Sequence, residues 1–125
     1  MVIETIAYDF SICKVDFSVL IPHKKFYFSA ITDEEISLVC PTEEALEQAI
    51  ARDDGWKAVR IRGVLDFSLV GILARISRFL AEAKIGIFAV STFNTDYLFM
   101  KKENFERALT ILSRSGYQVV RSQIQ

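Results

Sequence analysis

The chain contains no run of about 18 consecutive apolar residues, the length a membrane-spanning helix needs, so no such helix is expected. It has no basic excess either: 15 Lys and Arg stand against 16 Asp and Glu, for a net charge of -1. Too little positive charge is left over to neutralise phosphates, which argues against nucleic acid or an anionic membrane as partner. Glu4 and Asp9 fall where a secretory leader would need a basic start and a long apolar run, and a cytoplasmic protein is therefore expected. Cysteine is scarce. Cys13 and Cys40 have no metal-type spacing, and each sits in an apolar, strand-like segment, which predicts reduced core thiols, no metal site and no cofactor. The single histidine, His23, lies beside Lys24 and Lys25 without an evident cysteine or serine partner, so no catalytic residue is expected.

What is present is apolar material. Hydrophobic residues make up 51% of the 125, enough for one compact domain or for two very small modules sharing a core. "ICKVDFSV" (12–19) alternates Cys13, Val15, Phe17 and Val19 against Lys14, Asp16 and Ser18, the pattern of a half-buried strand. "FYFSAIT" and "EISLVC" read as a hairpin turning at Asp33 and Glu34. Thr42 as N-cap, Glu43 and Glu44 in a first turn, and Ala45, Leu46, Ala49 and Ile50 as a stripe predict a helix that ends at "RDDG".

"KAVRIRGVL" (57–65) is a second alternating strand, with Arg60 and Arg62 on its outer face. From Phe67 to Ala83 the spacing becomes helical, with Leu69, Ile72, Leu73, Ile76, Phe79 and Leu80 on one side and Arg75, Arg78 and Glu82 on the other. "IGIFAVS" and "YLFMK" are apolar strands joined by a polar turn. A last helix carries Phe105, Ala108, Leu109 and Leu112, with Gly116 closing it, and "YQVVR" is a terminal strand. Trp56 and most of the ten phenylalanines are expected in the core.

The two halves match each other. "GWKAVR" (55–60) and "GYQVVR" (116–121) share Gly, Val and Arg, and each follows a strand and a helix at an offset of about 60, which predicts a tandem repeat. Residues 57–121 follow the β-α-β-β-α-β order of the split βαβ, ferredoxin-like plan. The first half follows it with its first helix reduced to something around "LIPHKK". Segment 56–64 is needed both to end the first unit and to begin the second, a conflict that exchange of terminal strands would remove.

In this plan the loop "LDFSLVGI" and the stretch "STFNTD" fall at one edge of the sheet. Asp66 and Ser68 at the start of the helix, with Thr92, Phe93 and Asp96 opposite, would supply acceptors for an ammonium, amide donors for a carboxylate and an aromatic wall. Each has a plainer reading: Asp66 as an N-cap, Asp96 as a turn residue. Gly71 in the first turn costs the helix about 1 kcal/mol against Ala, which close approach of a ligand or tight helix packing would explain.

The span 55–100, with "GWKAVRIRG", "LDFSLVGIL" and "STFNTDY", resembles the ACT-domain superfamily, in particular small stand-alone proteins with two tandem modules, relatives of aspartate kinase regulatory regions and of arginine sensors. "EISLVC" in the N-terminal half is a weaker match. The resemblance implies an α+β protein of two ferredoxin-like modules with antiparallel sheets, a degenerate one at 1–56 and a full one at 57–125. It implies a non-catalytic, allosteric or sensory amino-acid-binding protein, dimeric, regulating an enzyme that remains unnamed. On matching positions it points to Asp66, Phe67, Ser68, Val70, Gly71 and Ile72, with Thr92, Phe93 and Asp96, as ligand-binding. The alternative is a structural oligomerisation module without ligand. An acylphosphatase would need an arginine in the acidic "GVLDFSLVG" loop, and an RNA-recognition sheet would need a basic surface with exposed aromatics; neither is present.

Overall fold

The alternation read in the sequence is realised as strand, and it runs further than the pattern announced. In the computed structural model, which describes residues 2–16, 26–45, 49–62 and 71–122, strand β1 occupies Val2–Val15. The hairpin follows as β2 (Phe28–Ile31) and β3 (Ile36–Pro41). After a 3-10 turn at Thr42–Glu44 comes β4, Ala51–Arg62. Helix α1 (Ile72–Glu82), strands β5 (Ile87–Ser91) and β6 (Asp96–Lys101), a 3-10 turn at Lys102–Asn104, helix α2 (Phe105–Arg114) and β7 (Gln118–Val120) complete the described chain.

The helix expected over 42–50 is not found. Thr42 opens a 3-10 turn without a side-chain cap bond, and its hydroxyl donates to Ser11 Oγ at 2.9 Å, since Ser11 gives its own proton to Asp54. Ala45 is already extended, and the Ile50 amide donates to the Lys14 carbonyl at 2.8 Å, so sheet-type bonding has captured this backbone; residues 46–48 lie outside the described ones. "RDDG" is likewise the opening of β4 rather than a helix end. Its charges are held by an Arg52–Asp54 ion pair at 3.1 Å and by Ser11 Oγ donating to Asp54 at 2.5 Å. The short helix expected near "LIPHKK" falls outside the described residues.

The chain divides into two compact units, Met1–Ala7 with Lys57–Gln125, and Tyr8–Trp56. Strands β1 and β4 each contribute residues to both units. In the larger unit the order β4-α1-β5-β6-α2-β7 is that of the split βαβ plan, with β4, β6 and β5 as successive neighbours. One feature departs from that plan. β7 pairs in parallel with β1, Val2 opposite Gln118 and Glu4 opposite Val120, so the N-terminal strand occupies the place next to β4 that the plan gives to the last strand.

The apolar sides of α1 and α2 cover one face of this sheet. Ile76 and Leu80 from α1, and Phe105, Ala108, Leu109 and Leu112 from α2, pack with Ile3, Val59, Ile61, Leu98 and Met100. Period-two alternation then fixes the opposite, helix-free face: Glu4, Arg60, Arg62, Tyr97 and Phe99. β5 and β6 are apolar on both faces because Phe99 lies directly across from Phe88 and stacks on it at 4.6 Å. In the smaller unit β3 pairs antiparallel with both β1 and β2, and Cys13, Val15, Ile36 and Leu38 form its core.

Two stretches sixty residues apart share local geometry. Ile36–Pro41 followed by a 3-10 turn corresponds to Asp96–Lys101 followed by a 3-10 turn, sixty residues on. Both hairpins also turn on a threonine. Thr32 N-H donates to the Glu35 carbonyl at 3.0 Å while Thr32 Oγ1 accepts from the Glu35 amide at 3.1 Å. Thr92 and Thr95 repeat the pair of bonds at 2.9 and 3.3 Å.

Candidate functional site

Both cavities at issue belong to the unit made of residues 1–7 and 57–125. The first, about 280 Å³, lies at the amino end of α1 and is lined by Gly71, Ala74, Arg75 and Arg78. Gly71 is the N-cap residue, in the left-handed conformation at φ 87°, and being glycine it has no side chain to offer the first-turn amides. No acid lies in that turn. Among the described residues no side chain caps the amino end of α1, and Arg75 and Arg78 stand on its first turns. Arg78 is tied to Glu82 at 3.9 Å, a loose, exposed pair worth little.

The second cavity, about 300 Å³, opens where β4 ends and the β5–β6 hairpin turns; it is lined by Arg60, Ile61, Arg62, Thr92, Asn94, Thr95 and Tyr97. The turn is fastened to β4 by a hydrogen bond from Thr95 Oγ1 to the Ile61 carbonyl. Glu4 on β1 accepts from Arg60 Nε at 2.6 Å and from Arg62 Nε at 3.1 Å through the same oxygen. The Arg60 bond is the main reason the Glu4 carboxyl is held below the usual range; burial opposes it, and Arg62 adds to it. For Arg60, burial pulls the pKa down, but the bonds to Glu4 and to Tyr97 outweigh it and leave the guanidinium more firmly charged.

The residues proposed from sequence do not all meet at one cavity. Asp66, Phe67, Ser68 and Val70 lie outside the described residues, as does His23. Gly71 lines the first cavity and Thr92 the second, and the two share no lining residue. Ile72 is half-buried against the core beneath α1. Phe93 is fully exposed at the hairpin tip. Asp96 opens β6 opposite Ser91 and alternates with Tyr97, which turns it to the side of Leu98 and Met100, the side on which α1 packs. Sequence reasoning did not name Arg75 and Arg78, or Arg60 and Arg62, as site residues. They read as solvated faces because nothing in a linear pattern shows where a helix start or a hairpin tip leaves a hollow beside them.

The two cysteines offer no nucleophile. Both are free and buried, and burial is the chief cause that raises each thiol, Cys40 to about 11. Among the described residues no cluster of metal-ligating side chains occurs, and no helix is long and apolar enough to cross a membrane.

A family model of the ACT domain matches residues 51–114. The chain belongs to the ACT domain family. The matched region begins with β4 and ends with α2, so it includes both cavities apart from Glu4. The human cytosolic arginine sensor for mTORC1 subunit 1 is 32% identical over 89 residues, which are 70% of this chain and 26% of that protein; the ACT chain thus spans about a quarter of the curated relative. An Agrobacterium tumefaciens crystal structure covers 99% of this chain and 95% of its own, at 25% identity and a TM-score of 0.87. The regulatory subunit of aspartate kinase from Thermus thermophilus, in its ligand-free form, superposes with a TM-score of 0.64 over 91% of this chain and 96% of its own. At 12% identity that likeness concerns the fold alone.

Proposed function

We propose that this ACT protein is a non-catalytic regulatory protein whose ligand is a free amino acid, bound at the amino end of α1. The observation that carries this reading is the cavity of about 280 Å³ at Gly71, at the amino end of α1, which Arg75 and Arg78 line. Backbone amides and two cations suit an α-carboxylate. Asp96, on the same side of the sheet as α1, suits the ammonium. Asp66, Phe67, Ser68, Val70 and Ile72, with Thr92 and Phe93, are the remaining contacts in this reading. The matched arginine sensor supports regulation by a small ligand. The chain would comprise two ACT modules in tandem, the first reduced in its helices, and would act as a homodimer on a partner enzyme. Regulation follows if ligand binds one conformation better than another, shifting the population between them.

A thermal-shift screen over the common amino acids tests this. A ligand at 100 times its Kd stabilises by about 2.7 kcal/mol, a rise of several degrees for a chain of this size. Arg75→Gln and Asp96→Ala should each abolish the shift while the unliganded protein melts as before. If no amino acid moves Tm, or if both variants keep the full shift, the reading fails.

A further inference from the structure

The second cavity shares only Thr92 with that reading, and its two arginines stand on the opposite face of the sheet. Alternation along β4 sends Val59 and Ile61 into the core and brings Arg60 and Arg62 out together on the helix-free side. One carboxylate, Glu4, serves both guanidiniums. Among the described residues that line this cavity, two are arginines and none is acidic.

The more open of the two guanidiniums is that of Arg62. Its side chain is 53% exposed, against 18% for Arg60 and 21% for Glu4. It meets Glu4 through Nε, so the η end of its fork is what an incoming acceptor would encounter. Asn94 brings an amide donor from the hairpin tip, and Tyr97 a phenolic hydroxyl beside Arg60. A planar guanidinium takes a carboxylate through two parallel bonds, and a space of about 300 Å³ suits a small organic molecule rather than a bare ion.

We propose that this cavity is a second ligand site, for a small carboxylate of net negative charge such as a dicarboxylate, received by Arg62 and Asn94 while Glu4 holds Arg60 in place beneath. Glu4 is the resident competitor for the same guanidiniums, and it sets the affinity. The two lining guanidiniums disfavour cationic ligands, so arginine and lysine are not taken here.

The test is titration of the full chain with succinate, inorganic phosphate and arginine amide at matched ionic strength, followed by the Nε-Hε resonances of the arginines. Succinate should saturate the Arg62 signal. Arg62→Gln should weaken succinate at least tenfold, and Arg62→Lys, which keeps the charge but not the fork, should also weaken it. Glu4→Gln, if folded by circular dichroism, should bind it more tightly. Arg75→Gln should leave it unchanged, which separates this site from the one at α1 whatever the fate of the amino-acid reading. The proposal is overturned if succinate gives no saturable response, if phosphate binds and succinate does not, if arginine amide competes, or if Arg62→Gln keeps its affinity.

Discussion

Glu4 shows how one side chain carries both stability and selectivity. Folding lowers its pKa, chiefly through the Arg60 bond at 2.6 Å. A lowered folded-state pKa means that the stabilisation is complete above the unfolded value of about 4.3 and is lost as pH falls through the folded value. Glu4→Gln should therefore cost about 1–3 kcal/mol at pH 7, the range for hydrogen bonds to charged groups. The gap between variant and wild type should close towards pH 3. Urea unfolding at both pH values measures it; a gap that is equal at both would mean that packing, not charge, is what the substitution removes. None of this was legible in "MVIETIAYDF", which gave Glu4 no partner, because the partners lie more than fifty residues away on β4.

Both helices end in the same way, with different residues at the decisive position. After α2 the Gly116 amide donates to Ser113 at 3.2 Å and the Tyr117 amide to Leu112 at 3.1 Å, with Gly116 at φ 99°. After α1 the Lys84 amide donates to Ala81 and the Ile85 amide to Leu80, both at 2.9 Å, with Lys84 at φ 60°. This is the Schellman arrangement, which places its C′ residue in the left-handed region, where a side chain costs about 1 kcal/mol or more and glycine does not. Gly116→Ala should thus destabilise by about 1 kcal/mol and Lys84→Gly should stabilise by about 0.5–1 kcal/mol, the gain trimmed by the entropy of an unfolded glycine. Opposite signs in paired urea melts are the expected result. The helices themselves were legible, since Phe105, Ala108, Leu109 and Leu112 are all buried at the spacing read from sequence. The stripe at 42–50 misled because the backbone is extended at Ala45 and the Ile50 amide pairs with the Lys14 carbonyl, a long-range contact that no local pattern records.

At the scale of the whole chain, the ferredoxin-like plan was legible from strand and helix order, but the role of the first residues was not. A reading along the sequence places residues 57–125 in one module, yet the sheet of that unit includes Val2–Ala7. Its register with β7 and the completely buried Ile3 make β1 an internal strand of the unit. Pairings between distant segments are set by tertiary packing, and the alternation in "VIETI" looks the same whichever sheet receives it. A fragment 57–125 lacks the strand between β4 and β7, exposes their ladder groups and loses the Ile3 side chain from the core. Truncating that side chain alone, Ile3→Ala, should cost about 2–5 kcal/mol, a large share of the stability of a domain this size. The fragment should therefore fail to give a cooperative urea transition, while the full chain does. Adding a synthetic peptide of residues 1–16 should restore helical circular dichroism in a concentration-dependent way. A fragment that melts cooperatively on its own, with full helical signal, would mean that β1 is dispensable to the unit and that the two halves of the chain fold apart.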